Sequence, residues 1–489
     1  MESGYPSENL SRTQALVNML PAAGLFLLNI VVKSWFLGTR DIAMDEPFTI
    51  FHAQGSLPEI FAMLRTENNP PLFFLILDYW IRLFGIGAVS VRFLPMVFSS
   101  LTAVFIYLTG KRFFSMRAAI VASLLFTFSN FNLVFAHEAR VYSLFTLLTV
   151  VSVYLLFAQH EKQSRAKVVL LAVVNSLLLY AHFFGAVVIF TELLMMLAIP
   201  GSGKRGLKWF AVSLGVTLLL YLPYLPLMLG RFGAATHRGT WVGKPVISDL
   251  YTMVRRYCNE PVPAVILLIL VATGTGYDIV RRLRDKIPAG WYTRSVYTWF
   301  FVPYLGMFLV SFLIPVFLDR YTVFISIGFY LLAGVSADRL SRSEWAGLLI
   351  PACAVAVMLF TFNPNTDNKR RFREAVATIR TLKSGSALVI ICPPWLGYGF
   401  AYHYDPAVFM DYHAMNTRLN ADRIYPVSNA SMIGTRLLEG AGSVIYFEEW
   451  ASIADPDNSI GAALGKSFVQ TREVKIYESF MIHEYHRRK

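Results

Sequence analysis

Two adjacent carboxylates, Asp45 and Glu46, are the residues of this sequence best placed to do acid–base chemistry. They follow the first long apolar segment, within the stretch GTRDIAMDEPFTIFHAQG. Carboxylates at the end of a membrane-crossing segment are costly unless they face water or a binding site. A carboxylate at a water interface can accept the proton of an attacking hydroxyl group and so act as a general base. The alternative is that both are solvated loop acids.

Three further groups of polar residues stand at the ends of other apolar segments, and we expect them on the same side of the membrane as the acidic pair. The groups are Asn69-Pro70-Pro71, His137-Glu138-Ala139-Arg140 and Asp319-Arg320-Tyr321. Arginine is suited to a two-point grip on a phosphate. Cations of this kind neutralise the charge that develops on a phosphate leaving group. Together the four groups indicate a catalytic site assembled from distant parts of the chain.

Each of these groups also has a structural interpretation. Arg140 could pair with Glu138, and Arg320 could pair with Asp319. The two prolines of the second group could be only the start of a helix.

Three other side chains are candidates for substrate contacts, namely His137, His182 and Trp241. His137 fits a surface loop better than a ligand site. His182 stands between two apolar segments, where buried hydrogen bonding and substrate contact are equally compatible with the sequence. Trp241 lies in RFGAATHRGTWVGKP. It could stack on a sugar, although tryptophan more commonly anchors a protein at the membrane interface.

The composition is that of a polytopic integral membrane protein. The chain has 489 residues, of which 55% are hydrophobic and only 15% charged, and its mean hydropathy is +0.51. The net charge of +13 comes from lysines and arginines grouped in short clusters between apolar segments. That placement follows the positive-inside rule, and it excludes nucleic acid as the reason for the charge. Membrane lipids are therefore the expected surroundings.

We count about eleven apolar segments long enough, or nearly so, to cross a bilayer. They run over about 15–36, 91–110, 118–135, 141–158, 168–182, 184–199, 209–229, 263–280, 295–316, 321–337 and 345–362. Segment 71–85 is short and carries Asp78 and Arg82, so it is predicted to be a helix lying on the outer surface. The basic loops then fall on the cytoplasmic side. The candidate site and the C-terminal tail face the outside.

The tail differs from the rest of the chain in composition and predicts a small α/β domain outside the cell. Residues 369–383 place apolar side chains on one helical face, while 386–392, 442–449 and 473–485 are typical of strands. The predicted domains are a transmembrane module over 1–362, which includes the outer loop 37–90, and the extracytoplasmic domain over 363–489. Cys258, Cys353 and Cys392 lack metal-ligand spacing. A disulfide between the first and the last of them is left open.

Several of these motifs, in this order, resemble the GT-C superfamily of membrane glycosyltransferases. They are the acidic pair, NPPLFFLILDYWIRLFG with the following VRFLPMVFSSLTAVFIYLTGKRFF, FAHEARVYSL, YAHFFG and LDRYTVFISIGFYLLAG. The similarity is greatest to the protein-mannosyltransferase branch, which also contains bacterial enzymes that modify lipopolysaccharide core and lipid A. It covers about residues 10–360, while the tail resembles the periplasmic domains of some members only loosely.

The resemblance implies a role for each matching residue. Asp45 corresponds to the acid that acts as base or orients the acceptor hydroxyl, and Glu46 to the neighbour that supports it. Asn69 stands where many members have His or Lys near the donor phosphate, which is a departure. Glu138 and Arg140 match the second outer-loop motif. Arg320 and Tyr321 match the pair that clamps the carrier phosphate.

The function that the resemblance implies is an inverting transfer of a sugar from a polyprenyl-phosphate carrier. The acceptor would be a glycolipid, polysaccharide or protein at the outer, periplasmic face of the bacterial inner membrane. No nucleotide-binding motif occurs in a fitting context, and nothing indicates a cofactor, although a divalent cation would be compatible. Two other classes stay open, a polysaccharide polymerase or ligase and a transporter of lipid-linked sugar. A transporter would need ionisable groups near the bilayer midplane.

Overall fold

The computed structural model describes residues 12–67, 69–199, 204–230, 243–286, 290–341, 344–365 and 367–488. The described residues form two compact units. The helical unit comprises those of Met1–Trp35, Arg65–Phe73 and Phe93–Pro364, and the mixed unit comprises those of Phe36–Leu64, Phe74–Arg92 and Asn365–Lys489. The units therefore group the described residues of the first outer loop largely with the C-terminal tail. The predicted domains 1–362 and 363–489 follow the change in composition along the chain, and that division stays a prediction.

Up to residue 360 the described regular structure is helical. In chain order the helices are α1 (Arg12–Ser34), α2 (Glu46–Ala53), α3 (Leu57–Leu64), α4 (Leu72–Phe84), α5 (Ala88–Phe113), α6 (Met116–Thr127), α7 (Asn130–Ala136), α8 (Tyr142–Glu161), α9 (Arg165–Ala181), α10 (Gly185–Leu197), α11 (Lys204–Tyr221), α12 (Ser248–Tyr257), α13 (Pro261–Asp285), α14 (Trp291–Val310), α15 (Asp319–Thr322), α16 (Ser326–Leu340) and α17 (Glu344–Phe360). A 3-10 turn, Val323–Ile325, joins α15 to α16.

Helix α16 is the core of the helical unit. Its residues from Ser326 to Ala337 are all buried, and it packs against α6, α13, α14 and α17. The crossing with α6 is close because Gly334 has no side chain: a Cβ there would lie 2.5 Å from the carbonyl oxygen of Ala118. Small residues allow membrane helices to approach in this way. Since α15 precedes α16 almost directly, the buried helix fixes the position of Arg320 and Tyr321.

Four of the described helices are long and apolar enough to cross a membrane, and a fifth span is added if α6 and α7, bent by 62°, count as one. The four are Ala88–Phe113, Tyr142–Glu161, Pro261–Asp285 and Asp319–Leu340. Shorter apolar helices run over Met19–Ser34, Gly185–Leu197, Gly206–Tyr221 and Gly347–Phe360. The helices occur where the apolar segments predict them. The number of crossings, about eleven, stays a prediction.

In the mixed unit the predicted surface helix 71–85 is found as α4. An i,i+4 ion pair joins Asp78 and Arg82 on it at 2.7 Å. Its position at the membrane stays a prediction.

The C-terminal part of the mixed unit confirms the predicted small α/β fold. Its elements are α18 (Phe372–Leu382), β1 (Leu388–Cys392), α19 (Leu396–Tyr404), α20 (Pro406–Phe409), α21 (Met415–Ala421), β2 (Ile424–Pro426), α22 (Thr435–Glu439), β3 (Ser443–Glu448), α23 (Ser459–Ser467), β4 (Phe468–Ile476) and β5 (Phe480–Arg487), with 3-10 turns at Ala430–Met432 and Ala451–Ile453. The five strands lie in the order β2-β1-β3-β5-β4. Strand β1 is parallel to β2 and β3, and β5 is antiparallel to β3 and β4.

One detail of the prediction needs correction, and one question that the sequence left open is answered. The single strand expected over 473–485 is wrong, because the chain reverses there and forms the hairpin of β4 and β5. Tyr477, with φ of +53°, lies in this turn. The disulfide left open is not formed, since Cys258 and Cys392 are both free thiols.

Candidate active site

The acidic pair stands at the start of α2, and its second member is bound by Arg92. Arg92 Nε and Nη2 lie 2.8 and 2.6 Å from the two carboxylate oxygens of Glu46. Glu46 is 3% exposed and Arg92 is 1% exposed. The same guanidinium donates to three backbone carbonyls of the preceding loop, those of Leu37, Arg40 and Asp41, at 3.2, 2.8 and 2.9 Å. One side chain thus holds the whole loop that leads to Asp45.

Asp45 is the N-cap residue of α2 and is only partly buried. Its backbone carbonyl accepts hydrogen bonds from the amide and the hydroxyl of Thr49, at 3.1 and 3.0 Å. Met44, directly before it, has φ of +56°. A left-handed conformation at a residue other than glycine costs about 1–3 kcal/mol and is retained mainly at functional sites. The strained turn and the buried Glu46 together determine where the Asp45 carboxylate lies.

The C-terminal tail contributes further contacts to the same loop. The backbone N–H of Arg373 donates to Asp41 Oδ2 at 2.8 Å, and its guanidinium also contacts that carboxylate. Asn368 Nδ2 donates to the Asp41 carbonyl at 2.9 Å. His403 Nε2 lies 2.9 Å from the carbonyl oxygen of Ile42 and therefore donates to it. The loop before the acidic pair is thus held both by Arg92 and by the tail.

The other end of α2 is fixed through His52. Its Nε2 lies 3.2 Å from the hydroxyl of Tyr398, and its Nδ1 lies 3.5 Å from the hydroxyl of Tyr412. Burial lowers the pKa of His52 to about 4. The ring is therefore neutral at pH 7, so that one nitrogen donates and the other accepts.

In the helical unit, the residues predicted to bind phosphate lie together around His182. We call Asn69, Arg140, His182, Arg320 and Tyr321 the arginine cluster. Arg140 Nη2 donates to Asn69 Oδ1 at 3.3 Å, and the rings of His182 and Tyr321 are 5.8 Å apart. The positive charges of Arg140 and Arg320 act on the ring of His182. Four segments far apart in the sequence thus meet in one cationic group.

Aromatic side chains support the two arginines of the cluster. The guanidinium carbon of Arg140 lies 5.9 Å from the ring centre of Tyr142, and that of Arg320 lies 5.8 Å from the ring centre of Tyr321. Such contacts hold a guanidinium group in place. Tyr224 also donates its hydroxyl to the Asn69 carbonyl at 3.4 Å.

The sequence left open whether Asp319 pairs with Arg320, and in the structure its carboxylate pairs with Arg256. Arg256 Nη1 lies 2.6 Å from Asp319 Oδ2, and Asp319 Oδ1 accepts a hydrogen bond from the backbone N–H of Arg320 at 2.8 Å. The Asp319 carboxylate therefore pairs with the guanidinium of Arg256, and it binds Arg320 through the backbone of that residue.

The remaining predicted residues have different surroundings. His137 is 1% exposed and its Nε2 lies 2.6 Å from the carbonyl oxygen of Lys33, so the expectation of a surface-loop histidine is wrong. The carbonyl of Glu138 accepts a hydrogen bond from the backbone N–H of Arg140 at 2.7 Å, and its side chain is partly buried. Trp241 lies outside the described residues. Substrate contacts of these three residues stay predictions.

Arg92 is the site residue that the sequence interpretation missed. It lies in VRFLP, inside a stretch that we assigned to an apolar segment. A charged side chain inside an apolar segment needs a partner, and that requirement was the available signal. The partner itself, Glu46, could not be identified without the fold.

Comparison with known families gives one sequence match, and no curated protein matches the chain. Residues 68–227 match the model of a family described as dolichyl-phosphate-mannose-protein mannosyltransferase. This region contains Asn69, Arg140 and His182 of the arginine cluster.

Solved structures of low sequence identity share the fold over almost the whole chain. ArnT from Cupriavidus metallidurans in the apo state has a TM-score of 0.64 at 15% identity, and the alignment covers 97% of this chain and 98% of that one. The same ArnT bound to undecaprenyl phosphate has a TM-score of 0.62 at 15% identity, with the same coverage. The oligosaccharyltransferase of Archaeoglobus fulgidus, in complex with Zn and sulfate, has a TM-score of 0.53 at 11% identity, covering 93% of this chain and 72% of that one.

These matches confirm the resemblance inferred from the motifs. The chain has the GT-C fold of ArnT, which is mostly helical with a small C-terminal sheet. The sequence similarity to the mannosyltransferase family is confined to residues 68–227.

Proposed function

We propose that this protein is a glycosyltransferase that takes a sugar from a polyprenyl-phosphate carrier. The observation that carries the proposal is the meeting of Arg140 and Arg320 around His182 in the helical unit. Two guanidinium groups suit the two-point binding of a phosphate. The relative bound to undecaprenyl phosphate has the same fold, which supports a polyprenyl phosphate as the anion.

In the proposed reaction the carrier phosphate is the leaving group. The acceptor hydroxyl gives its proton to a carboxylate base, the role that the resemblance gives to Asp45, and its oxygen forms a bond to the anomeric carbon of the sugar. The bond from that carbon to the phosphate oxygen breaks, and its electron pair stays on the carrier phosphate. Arg140 and Arg320 stabilise the resulting charge. Asp45 enters this scheme through the resemblance and through its partly exposed carboxylate, which Arg92 and Glu46 hold in place.

Asn69 has a different task in this chain from that of the His or Lys found in many members. It brings no charge, yet its Oδ1 accepts a hydrogen bond from Arg140 at 3.3 Å. We propose that Asn69 orients Arg140 toward the phosphate, so that the two arginines supply all the charge that the cluster needs.

The orientation of the site belongs to the proposal as well. We infer an inverting enzyme of the bacterial inner membrane whose site and C-terminal tail face the periplasm. The acceptor is a glycolipid, a polysaccharide or a protein. Single cysteines at Arg65 and Ala88, on either side of α4, test the topology with an impermeant thiol reagent. Both should react from outside the cell, and labelling from opposite sides would contradict the topology.

A transporter would use a buried ionisable group, and Glu192 on α10 is such a group in the helical unit. Its carboxylate contacts Ser152 of α8 and accepts a hydrogen bond from Asn175 of α9 at 2.8 Å. Glu192 is thus engaged by side chains of both neighbouring helices. These contacts support a structural role for Glu192 in joining α10 to α8 and α9. We therefore favour a transferase over a transporter.

The proposal is tested by supplying purified protein in nanodiscs with undecaprenyl-phosphate-linked sugars of several kinds and measuring released undecaprenyl phosphate by mass spectrometry. Total lipopolysaccharide, with its core and lipid A, serves as the first acceptor mixture. Release should depend on both the sugar donor and the acceptor, and the Asp45→Asn variant should give none. Binding of undecaprenyl phosphate by the wild-type protein is measured in the same nanodiscs. Absence of binding, or transfer from nucleotide sugars instead, would overturn the proposal.

A further inference from the structure

His182 is the residue between α9 and α10, and aromatic rings fix its side chain. It has an extended backbone, with φ of −152° and ψ of 141°. Its ring stacks on Phe145 at 5.0 Å and 28°, and on Phe184 at 5.2 Å and 18°. Tyr321 approaches the ring at 5.8 Å. A ring bounded by three others cannot swing freely, so its nitrogens have set directions.

One hydrogen bond determines which nitrogen carries the proton. The backbone N–H of Phe184 donates to His182 Nδ1 at 3.2 Å. A nitrogen that accepts a hydrogen bond has no proton, so a neutral ring carries its proton on Nε2. An imidazole whose Nδ1 accepts in this way is in its neutral form, since both nitrogens of the charged form are donors. His182 is therefore a neutral Nε2–H donor.

Among the described residues, nothing accepts a hydrogen bond from this Nε2–H. The charges of Arg140 and Arg320 act on this ring and Tyr321 lies beside it, and each of the three can also act as a donor. A group of donors around a fixed N–H suits a ligand that offers only acceptors, and a phosphate is such a ligand.

We propose that His182 is a donor-binding residue whose Nε2–H hydrogen-bonds a phosphate oxygen of the lipid carrier. This inference rests on the proposed function and assigns different roles to the arginines and to the histidine of the site. The two arginines provide the charge, and the neutral histidine provides a directed hydrogen bond. Because the bond also reaches the departing phosphate, His182 contributes to release of the leaving group without giving up its proton.

Two substitutions separate the hydrogen bond from the aromatic packing. His182→Phe keeps a ring between Phe145 and Phe184 but has no N–H. His182→Gln loses the ring but carries an amide N–H at about the position of imidazole Nε2. A hydrogen bond to a charged group implies a loss of roughly tenfold to a hundredfold in affinity for His182→Phe. His182→Gln should recover part of that loss.

The affinity for undecaprenyl phosphate is measured in nanodiscs for the wild type and both variants, together with melting temperature. If the wild type binds and His182→Phe binds equally well, the role of His182 is overturned while the proposed function stands. If the wild type itself does not bind, the proposed function fails. The expected order of affinity is wild type, then His182→Gln, then His182→Phe.

A spectroscopic measurement keeps the inference testable even if His182→Phe does not fold. In protein labelled with 15N-histidine, the His182 signals are assigned by their absence from the His182→Gln spectrum. They should report the neutral Nε2–H form at about pH 7, and the Nε2–H proton should move downfield when undecaprenyl phosphate is added. A protonated Nδ1, or no shift on adding the lipid, would overturn the inference.

Discussion

Arg92 binds Glu46 at both carboxylate oxygens, so the two acids of the pair have different environments. Glu46 is 3% exposed and fully engaged by the guanidinium, whereas Asp45 is partly exposed at the start of α2. Removing one partner of a buried ion pair leaves the other as an uncompensated buried charge. The pair therefore separates a structural role, carried by Glu46, from the proposed chemical role of Asp45.

Arg92→Ala should destabilise the protein strongly. It leaves Glu46 as a buried charge without its arginine, and it removes three hydrogen bonds to the backbone of the loop. The expected loss is about 3–5 kcal/mol. The matched control is Arg82→Ala, which removes a guanidinium that is largely exposed and paired with Asp78 within one helix. Thermal unfolding in detergent compares the two. Equal melting temperatures would show that the buried pair does not stabilise the loop.

Asp45→Asn should reduce turnover by about a hundredfold to ten-thousandfold, the usual effect of losing a general base. Its melting temperature should stay close to that of the wild type, because Asn has the same size and shape as Asp and keeps the backbone carbonyl that accepts the bonds from Thr49. Glu46→Gln should show the reverse pattern, a clear loss of melting temperature. Initial rates and unfolding are measured on the same preparations. Near-normal turnover of Asp45→Asn would remove Asp45 from the mechanism.

His52 predicts a loss of stability on acidification. Its pKa is about 4 in the folded protein and 6.5 in a model peptide. The unfolded chain therefore takes up the proton first, and stability is lost as the pH falls from about 6.5 toward 4. At pH 5 the expected loss is about 1–2 kcal/mol. The melting temperature of His52→Gln should depend less on pH between 7 and 5 than that of the wild type. If the melting temperatures of the two proteins fell equally between pH 7 and 5, His52 would not be the group responsible.

Arg320→Ala should weaken binding of undecaprenyl phosphate by about 2–5 kcal/mol, the usual effect of truncating one partner of a desolvated charge pair. Arg320→Lys should recover only part of it, since lysine offers a point charge instead of a fork. Arg256→Ala is the control, because it also removes one positive charge, from a residue that pairs with Asp319 and lies outside the arginine cluster. Affinity and melting temperature are measured together. A purely structural Arg320 would lower the melting temperature and leave the affinity of the folded protein unchanged.

Much of this protein follows from its sequence alone. Long apolar runs must form helices in a bilayer, because every backbone polar group there needs a partner within the segment. The predicted apolar segments accordingly coincide with helices, and the polar tail with a small α/β fold. The motifs containing Asn69, Arg140 and Arg320 could be recognised because their order along the chain is a property of sequence.

Only the tertiary structure decided which partner each charged side chain has. Arg92 binds Glu46, Arg256 binds Asp319, and Phe184 sets the tautomer of His182. The hairpin of β4 and β5 likewise replaces a single predicted strand. The physical reason is that an ion pair or a ladder hydrogen bond forms within about 3 Å. Such a distance between remote residues depends on how whole helices and strands pack, which local sequence patterns do not encode.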